Sequence, residues 1–458
     1  MSGDETHYVT TEPYICLGKW LFVLTLDKAI DRAYKSRHIP YRAGVTSYYT
    51  SSFPPGQRYL LVQSSSTMAQ TLSETPHLPG RSGRGSESDS SLDEIAQEKQ
   101  NALVTTLGHH GKDLDNSASP KRWKSFWTAF RHLAHLTPKQ VDDFMASYVI
   151  YNLDWSDEKQ MTESLGPNYQ EKVGDCLKSY YGVLNHLCAL GDVEKMYIPP
   201  WMSPKSSVLE NQILYERSIA QDIGLGTGKK VLDLGCGRGR VAAHMAQHTG
   251  AQVTGLNIDP NQVEQATTFN KERGLQNNFV TQDFNDLPLP FADESFDAFY
   301  QIQALSLCKD LPALFREIFR VVKPGSKISL LDWISLPAYD ASNPEHAELM
   351  RRVKPLIGAV GTPTQESLEA ALKEAGFEVV RSENASIDGL QAPLIDTVDV
   401  YFRTLRQAIL ALVKVHVLPR HFKTLINRLC LDGQAFVKMD RMRLATTSYS
   451  IIAQKPKA

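Results

Sequence analysis

A glycine-rich stretch contains the residues whose types and spacing most clearly indicate chemistry. Residues 231–240 read Val-Leu-Asp-Leu-Gly-Cys-Gly-Arg-Gly-Arg. Gly235, Gly237 and Gly239 alternate with other residues, and the acid Asp233 stands two residues before the first of them. Glycines at the start of a helix leave its first backbone N–H groups open to a polar ligand. The stretch therefore predicts a ligand-binding turn between a strand and a helix.

Two classes of adenosine-containing ligand use such a turn, and the glycine spacing separates them. Dinucleotide-binding folds have the pattern G-x-G-x-x-G. In this sequence the pattern is G-x-G-x-G, and Arg240 occupies the place of the third dinucleotide glycine. The Asp233 carboxylate can pair with the ammonium group of S-adenosylmethionine. We therefore predict S-adenosylmethionine as the cofactor, with Cys236 inside its binding turn and no metal at the site.

Further cofactor-binding candidates follow the next three predicted strands. Asn257 and Ile258 end the second strand, and an amide can both donate to and accept from ribose hydroxyls. After the third strand, Asp283 can accept from the adenine amino group and Phe284 can cover the adenine ring. Gln301 lies at the end of the fourth strand. Because carboxyl ends of parallel strands meet at one edge of a sheet, these residues are predicted to converge on the glycine turn.

Methyl transfer from a sulfonium makes modest demands on catalytic groups, because the leaving thioether is neutral. The acceptor must be aligned with the methyl group, water must be excluded, and a proton acceptor is needed at most. Three side chains are predicted to face the reacting atoms. They are Gln303 after the fourth strand, Asp332 at the end of the fifth, and Tyr181 from the helical segment that precedes the sheet.

The elements that must position these residues form an α/β pattern. Residues 229–335 alternate short apolar runs with helical patterns, which is typical of a parallel sheet with crossover helices. The predicted strands are 230–234, 252–256, 278–281, 296–302, 327–333, 377–382 and 447–453. Helices are predicted to begin near Arg240, Pro260 and Leu311, with further helices over 138–152 and 364–375.

Composition divides the sequence into five consecutive predicted parts. They are an N-terminal extension of uncertain role (1–62), a Ser- and Gly-rich disordered linker (63–120), a helical N-terminal lid (121–205), a cofactor-binding core (206–382) and a C-terminal segment on the substrate side that includes the last strand (383–458). The lid begins with Trp123, Phe126, Trp127 and Phe130, which form one apolar helical face. This face predicts either peripheral contact with a membrane surface or packing on the domain that follows.

Overall charge and cysteine usage narrow the class of protein. Lys plus Arg number 49 and Asp plus Glu number 51 among 458 residues, so no global field favours a nucleic-acid partner. The sequence contains no run of about 18 uncharged apolar residues, so no membrane span is predicted. The six cysteines are widely spaced and form no CxxC pair, which suits a reducing compartment. We therefore expect a cytoplasmic protein, or one peripheral at a membrane surface; the oligomeric state is not predicted.

Over roughly residues 165–458 the protein resembles the sterol 24-C-methyltransferases. The resemblance is carried by residues 231–239, by Gly255-Leu-Asn257, and by Val322-Lys-Pro-Gly325 leading to Asp332-Trp333. It implies a class I methyltransferase fold, a Rossmann-like sheet of seven strands with the last antiparallel, a helical N-terminal lid and a C-terminal extension. It also implies transfer of the sulfonium methyl group to a small hydrophobic molecule.

The protein departs from that family where a sterol enzyme handles its carbocation. The resemblance places Gln303 where the family has an acid and Leu307 where it has a histidine, and residues 187–192 lack the family's aromatic-glycine signature. A carbocation made by methylating an alkene needs aromatic faces and a base. The departures therefore favour an N-, O- or activated C-acceptor, and we expect it to be a specialised-metabolite intermediate. The alternatives are a C-methyltransferase acting on the side chain of a sterol or triterpene and a non-catalytic binding module of the same fold.

Overall fold

The computed structural model describes residues 120–155, 157–190 and 194–457, and side chains from residue 126 onward. All of these residues belong to one compact unit. The predicted N-terminal extension (1–62), nearly all of the predicted linker, and the Trp123 side chain lie outside the described residues.

The described helices fall into three groups along the sequence. Four precede the sheet: α1 (Pro120–Ala134), α2 (Pro138–Ser147), α3 (Glu158–Leu165) and α4 (Tyr169–Leu190). Six accompany the sheet: α5 (Val208–Asp222), α6 (Arg240–Thr249), α7 (Pro260–Lys271), α8 (Leu311–Val321), α9 (Pro344–Ile357) and α10 (Gln365–Glu374). Three lie near the C-terminus: α11 (Ala392–Lys414), α12 (His421–Leu429) and α13 (Gly433–Arg441).

The seven strands form one sheet in the order β3-β2-β1-β4-β5-β7-β6. Their bounds are β1 (Lys230–Leu234), β2 (Gln252–Asn257), β3 (Asn278–Thr281), β4 (Phe296–Ile302), β5 (Val322–Ser335), β6 (Glu378–Asn384) and β7 (Ala445–Gln454). Strand β7 is antiparallel to both of its neighbours, and the other pairings are parallel. The predicted seven-stranded α/β sheet with an antiparallel last strand is thus confirmed.

Local capping signals explain where two of these helices begin. Helix α7 has Asp259 as its N-cap, whose side chain accepts from the backbone N–H of Asn261 at 2.9 Å, and Pro260 follows at the first helical position. Helix α2 has a capping box between Thr137 and Gln140. The helix predicted over 138–152 is corrected at its end, because its last five residues, Tyr148–Asn152, form a 3-10 helix.

The C-terminal helices pack against the helices that precede the sheet. Leu405 and Ile409 of α11 and Phe422 and Leu425 of α12 share one buried cluster with Phe144 of α2 and side chains of α4. Helix α1 joins this cluster, since the rings of Phe130 and Phe422 lie 5.9 Å apart. Phe126 and Phe130 of α1 therefore pack against the rest of the protein, and membrane contact through this helix stays a prediction. Among the residues that the structure describes, no helix is long and apolar enough to cross a bilayer.

Candidate active site

A cavity of about 200 Å³ lies at the carboxyl edge of the sheet, below α4 and the segment that follows it. Eight of the predicted cofactor-binding residues line it: Asp233, Gly235, Cys236, Gly237, Asn257, Ile258, Asp283 and Phe284. Two of the predicted catalytic residues, Tyr181 and Gln303, also line it. The lining residues all fall between 155 and 309, so this cavity takes no wall residue from the described part of the C-terminal segment.

Asp233 is the next-to-last residue of β1, and its carboxyl group is buried, with the residue only 3% exposed. The hydroxyl of Tyr300 on the neighbouring β4 donates to its Oδ2 at 2.9 Å. Burial raises the pKa of Asp233 to about 7, against the opposing effect of this hydrogen bond, and the nearby Glu216 charge adds to the increase. A cation that binds beside such a buried carboxyl group stabilises its ionised form, which burial alone disfavours.

The glycine turn is fixed to the end of β2. The N–H of Gly237 donates to Asn257 Oδ1 at 3.3 Å, and Asn257 Nδ2 donates to Gln262 Oε1 at 3.4 Å. Gly237 and Gly239 have φ angles of +50° and +66°, in the left-handed region that glycine tolerates best. A Cβ on Gly239 would lie 2.8 Å from that of Ala266 in α7, so this third glycine serves helix packing rather than the cavity.

At the ends of β3 and β2, the adenosine candidates lie along one wall of the cavity. Asp283 Oδ1 accepts from the backbone N–H and the side-chain amide of Asn285, both at 2.9 Å. Phe284 is 9% exposed and Ile258 is half-buried. The assignment of these residues to the adenine and ribose stays a prediction.

Like Gly239, the predicted site residues Gln301 and Asp332 are absent from the cavity wall, and this expectation is corrected. Gln301 is fully buried; its Oε1 accepts from Ala304 N–H at 3.0 Å and its Nε2 donates to the Leu331 carbonyl at 3.3 Å. Asp332 is 3% exposed and accepts from the N–H groups of Leu305 and Trp333, both at 2.8 Å. Both side chains hold the segment after β4 against β5 and are absent from the cavity wall.

Gln303 lies in the cavity wall, but its side-chain amide is hydrogen-bonded to backbone groups. Its Oε1 accepts from Ile198 N–H at 3.1 Å, and its Nε2 donates to the carbonyls of Ile198 and Thr447 at 2.7 and 2.9 Å. Both N–H bonds are therefore committed to joining the segment after α4 to β7. These hydrogen bonds give Gln303 a structural role, and its catalytic role stays a prediction.

Tyr181 lines the cavity with its ring, while its hydroxyl lies near Gly358, where a Cβ would be 3.3 Å away. Burial and the charge of Asp332 raise the pKa of Tyr181 to about 12. The phenol therefore stays protonated at neutral pH and cannot act as a base there. The adjacent Tyr180 is fully buried and donates to the carbonyl of Pro355 at 3.2 Å.

A buried polar cluster beside the glycine turn has no signal in the sequence. Lys195 lines the cavity, and its Nζ donates to both carboxylate oxygens of Glu216 at 2.7 and 2.5 Å. Tyr197 donates to Glu216 Oε1 at 2.7 Å, and His244 Nδ1 contacts Glu216 Oε2. Burial by itself would raise the pKa of Glu216, but the charges of Lys195 and His244 hold it below its ordinary value.

Removing one partner of this buried pair is expected to destabilise the protein. Lys195→Met should lower the free energy of unfolding by about 3 kcal/mol or more, because the Glu216 carboxylate would lose the ammonium that contacts both of its oxygens. Urea denaturation measures the change. The double variant with Glu216→Gln as well should recover part of the loss, since no unpaired carboxylate then remains. An unchanged denaturation midpoint for Lys195→Met would contradict this account.

The wall opposite the sheet has apolar side chains beside polar ones such as Gln170, Lys178 and Lys195. Trp155, Val173, Leu177, Met196 and Leu307 contribute to it. Within this group only Leu307 was recognised from the sequence, because the resemblance places it where the family has a histidine. At the glycine turn, Arg240 stacks its guanidinium 3.4 Å from the Phe269 ring of α7. Within the residues that the structure describes, no group of three or more potential His, Cys, Asp or Glu ligands could hold a metal ion.

Comparison with known proteins places this site in a family. Residues 232–330 match the family model described as a methyltransferase domain. The chain is 33% identical over 233 residues to Methyltransferase phqN of Penicillium fellutanum, covering 50% of this chain and 67% of that protein. It is 32% identical over 266 residues to Sterol 24-C-methyltransferase ERG6A of Gibberella zeae, covering 53% of this chain and 69% of the relative. The protein belongs to the class I methyltransferases of the sterol 24-C-methyltransferase type.

This family assignment settles the enzyme class and the cofactor. The protein is a divergent member of the family and an S-adenosylmethionine-dependent methyltransferase. Among solved structures, the [4+2]-cyclase SpnF superimposes with a TM-score of 0.47 at 22% identity, covering 62% of this chain and 96% of that one.

Proposed function

We propose that this methyltransferase transfers the methyl group of S-adenosylmethionine to a small hydrophobic molecule whose own nitrogen, oxygen or activated carbon is the nucleophile. In this proposal Asp233 and the glycine turn hold the methionine end of the cofactor. Asn257 and Ile258 lie at the ribose, and Asp283 and Phe284 lie at the adenine.

The residues present fit this cofactor. The buried Asp233 carboxyl has a raised pKa, and among the described residues its donor is the neutral Tyr300 hydroxyl, so the cofactor's ammonium would supply the cation that the site favours. A Cβ on Gly237 would meet only Gln262 Oε1, at 3.5 Å, so this glycine leaves open space at the wall. The carboxyl ends of β1, β2 and β3 supply the remaining groups along one edge, as open α/β sheets do for their ligands.

The opposite wall supports a mostly apolar acceptor. Trp155, Val173, Leu177 and Leu307 present carbon surface to the cavity, which favours burial of an apolar molecule. The cofactor supplies an electrophilic methyl group whose leaving thioether is neutral. The protein's task is then to hold the acceptor atom about 3–3.5 Å from that methyl group and to exclude water.

One observation favours an acceptor that is itself nucleophilic. Gln303 and Leu307, which stand where the sterol enzymes have an acid and a histidine, both lie in the cavity wall. The Gln303 amide is committed to three backbone groups, and leucine has no lone pair. An alkene acceptor must lose a proton after methylation and needs a base for that step. An amine, a phenol or an enol carries its own nucleophilic atom and depends much less on a base in the cavity wall. For that reason we propose that the acceptor is a specialised-metabolite intermediate.

Sterol side-chain methylation is the second candidate. It is favoured by the 32% identity to an enzyme named as a sterol 24-C-methyltransferase and by two aromatic rings in the wall, Trp155 and Tyr181, whose faces can stabilise a cation.

An acceptor panel distinguishes the two candidates. Purified protein with S-adenosylmethionine is offered a sterol mixture beside small aromatic, amine and polyketide-type acceptors, and S-adenosylhomocysteine formation is followed by mass spectrometry. We expect turnover with one of the nucleophilic classes and sterol turnover lower by about a hundredfold or more, because a missing base costs roughly that factor. Asp233→Asn serves as the control and should lose turnover with every acceptor. Sterol turnover as fast as that of the best other acceptor would contradict the proposal.

A further inference from the structure

Asn185 of α4 is a buried polar residue that borders the cavity without a partner. It is 6% exposed and lies in the cavity wall. Its amide makes no hydrogen bond within the part of the protein that the structure describes. The amide atoms are not themselves fully buried and open on the cavity, where a bound ligand can accept from them.

The position of Asn185 along α4 shows which part of the cavity it faces. Leu177, Tyr181 and Asn185 follow one another at four-residue spacing on the cavity side of the helix. Asn185 is the last of the three and lies nearest the glycine turn. Its neighbour His186 is close enough to Arg238 of that turn for the arginine's charge to help lower the pKa of His186, after burial and His132. Asn185 therefore lies at the methionine end of the proposed cofactor site.

The cations in this part of the wall all make contacts with anionic or carbonyl groups, although Arg238 and Arg240 each keep a buried Nε–H without a hydrogen-bond partner among the described residues. The Lys195 ammonium is held by both oxygens of Glu216. Arg238 donates to the carbonyl of Glu194 at 2.9 Å, and Arg240 lies 3.5 Å from the Glu194 carboxylate. If Asp233 binds the ammonium of the cofactor, the carboxylate on the same carbon atom still needs a donor. The Asn185 amide offers two N–H groups for it.

We propose that the Asn185 side-chain amide donates a hydrogen bond to the carboxylate of the bound cofactor. This inference rests on the proposed function, because it takes the orientation of the cofactor from the Asp233 and glycine-turn assignment.

Two ligands that differ at the amino-acid end test the proposal. The full-length protein is titrated calorimetrically with S-adenosylhomocysteine and with 5′-deoxy-5′-methylthioadenosine, which has the adenosine and the thioether but no carboxylate or ammonium. Asn185→Leu keeps the branched shape of the side chain, with a larger volume, and removes both donors. It should weaken S-adenosylhomocysteine binding by about tenfold or more and leave methylthioadenosine binding unchanged.

Two further variants make the result specific. Asn185→Asp is isosteric and places a negative charge near the carboxylate, so it should weaken S-adenosylhomocysteine binding more than Asn185→Leu does, again without affecting methylthioadenosine. It also carries the test if the leucine variant fails to fold. Asn168→Leu, at an exposed position immediately before α4, is the matched control and should leave both affinities unchanged.

Each remaining outcome has a defined meaning. If the Asn185 variants lost affinity for both ligands equally, the residue would have a structural role. If they lost affinity for neither, Asn185 would face the acceptor rather than the cofactor. Both results overturn the inference. If the unmodified protein binds methylthioadenosine but gains nothing from the amino-acid end, the inference fails while the adenosine part of the proposed site stands. If it binds neither ligand, the proposed function fails with it.

Discussion

Asp233→Asn is expected to weaken S-adenosylhomocysteine binding by about a hundredfold while leaving the protein folded. The amide occupies the same volume, and its oxygen can still accept from the Tyr300 hydroxyl, which lies 2.9 Å from Asp233 Oδ2. What disappears is the negative charge that attracts an ammonium group in a site that is only 3% exposed. Calorimetric titration measures the affinity, and thermal unfolding without ligand shows that the fold is kept.

The pH dependence of binding provides a second readout of the same carboxylate. Burial raises the pKa of Asp233 to about 7, so at lower pH a growing fraction of the group is protonated and must release its proton to bind a cation. The affinity of the unmodified protein should fall about fivefold from pH 7 to pH 6, whereas that of Asp233→Asn should stay nearly flat.

The raised pKa of Asp233 has the opposite effect on the stability of the ligand-free protein, which falls as the pH rises. An aspartate in the unfolded protein ionises near pH 4, whereas folded Asp233 keeps its proton up to about pH 7. Across that window the folded state binds more protons, so this group lowers the free energy of unfolding as the pH rises. Asp233→Asn should remove that contribution and be at least as stable as the unmodified protein at pH 8.

Tyr300→Phe is the matched control, because it removes the neutral donor and keeps the charge. We expect a loss of affinity of about tenfold or less, together with an upward shift of the pH midpoint, since the hydrogen bond opposes the raised pKa. If Asp233→Asn bound S-adenosylhomocysteine within about threefold of the unmodified protein, the assignment of Asp233 to the ammonium would be wrong.

The parts of the fold that the sequence predicted well are those that rest on local signals. All seven predicted strands are present, and the helix after Asp259-Pro260 begins where its cap predicts. The glycine turn follows β1 directly, as its spacing indicates. Caps, left-handed glycines and apolar runs act within a few residues, so their effect can be predicted without knowing the rest of the sequence.

The side chains at the end of β4 and just after it show what local sequence signals cannot predict, namely which distant groups a side chain binds. Successive residues of a strand point to opposite faces, and Tyr300 points to Asp233 while Gln301 points to the backbone of β5. Gln303, with φ of +54°, then reaches the segment before α5 and β7. Position along the strand placed these glutamines near the site, but the register with distant strands decides which groups they bind.

The charged partners of Glu216 could not be predicted from the sequence either. Lys195 and Glu216 are 21 residues apart, and Glu216 and His244 are 28 residues apart on separate helices. No spacing rule connects them, because only the packing of α5 against α6 brings the partners together. The unpartnered amide of Asn185 likewise becomes visible only when the burial of α4 is known.

Gly237→Val is expected to abolish detectable cofactor binding in a protein that still folds. A Cβ at this position would meet only Gln262 Oε1, at 3.5 Å, so the valine would not clash with the protein itself. Its two methyl groups would instead occupy cavity space beside Asp233, where the proposed site holds the methionine end. The φ angle of +50° adds backbone strain of roughly 1–3 kcal/mol for a β-branched residue.

Gly224→Val separates strain from occupation of the cavity. Gly224 has a similar left-handed φ of +68°, lies in the loop before β1, and has no atom within 4 Å of where its Cβ would be. This variant should lose stability comparably in urea denaturation and bind S-adenosylhomocysteine with unchanged affinity. Gly237→Val should lose at least about a hundredfold in affinity at the same stability cost. If both variants lost binding alike, strain alone would explain the effect. If Gly237→Val bound normally, the turn could not be the place where the methionine end lies.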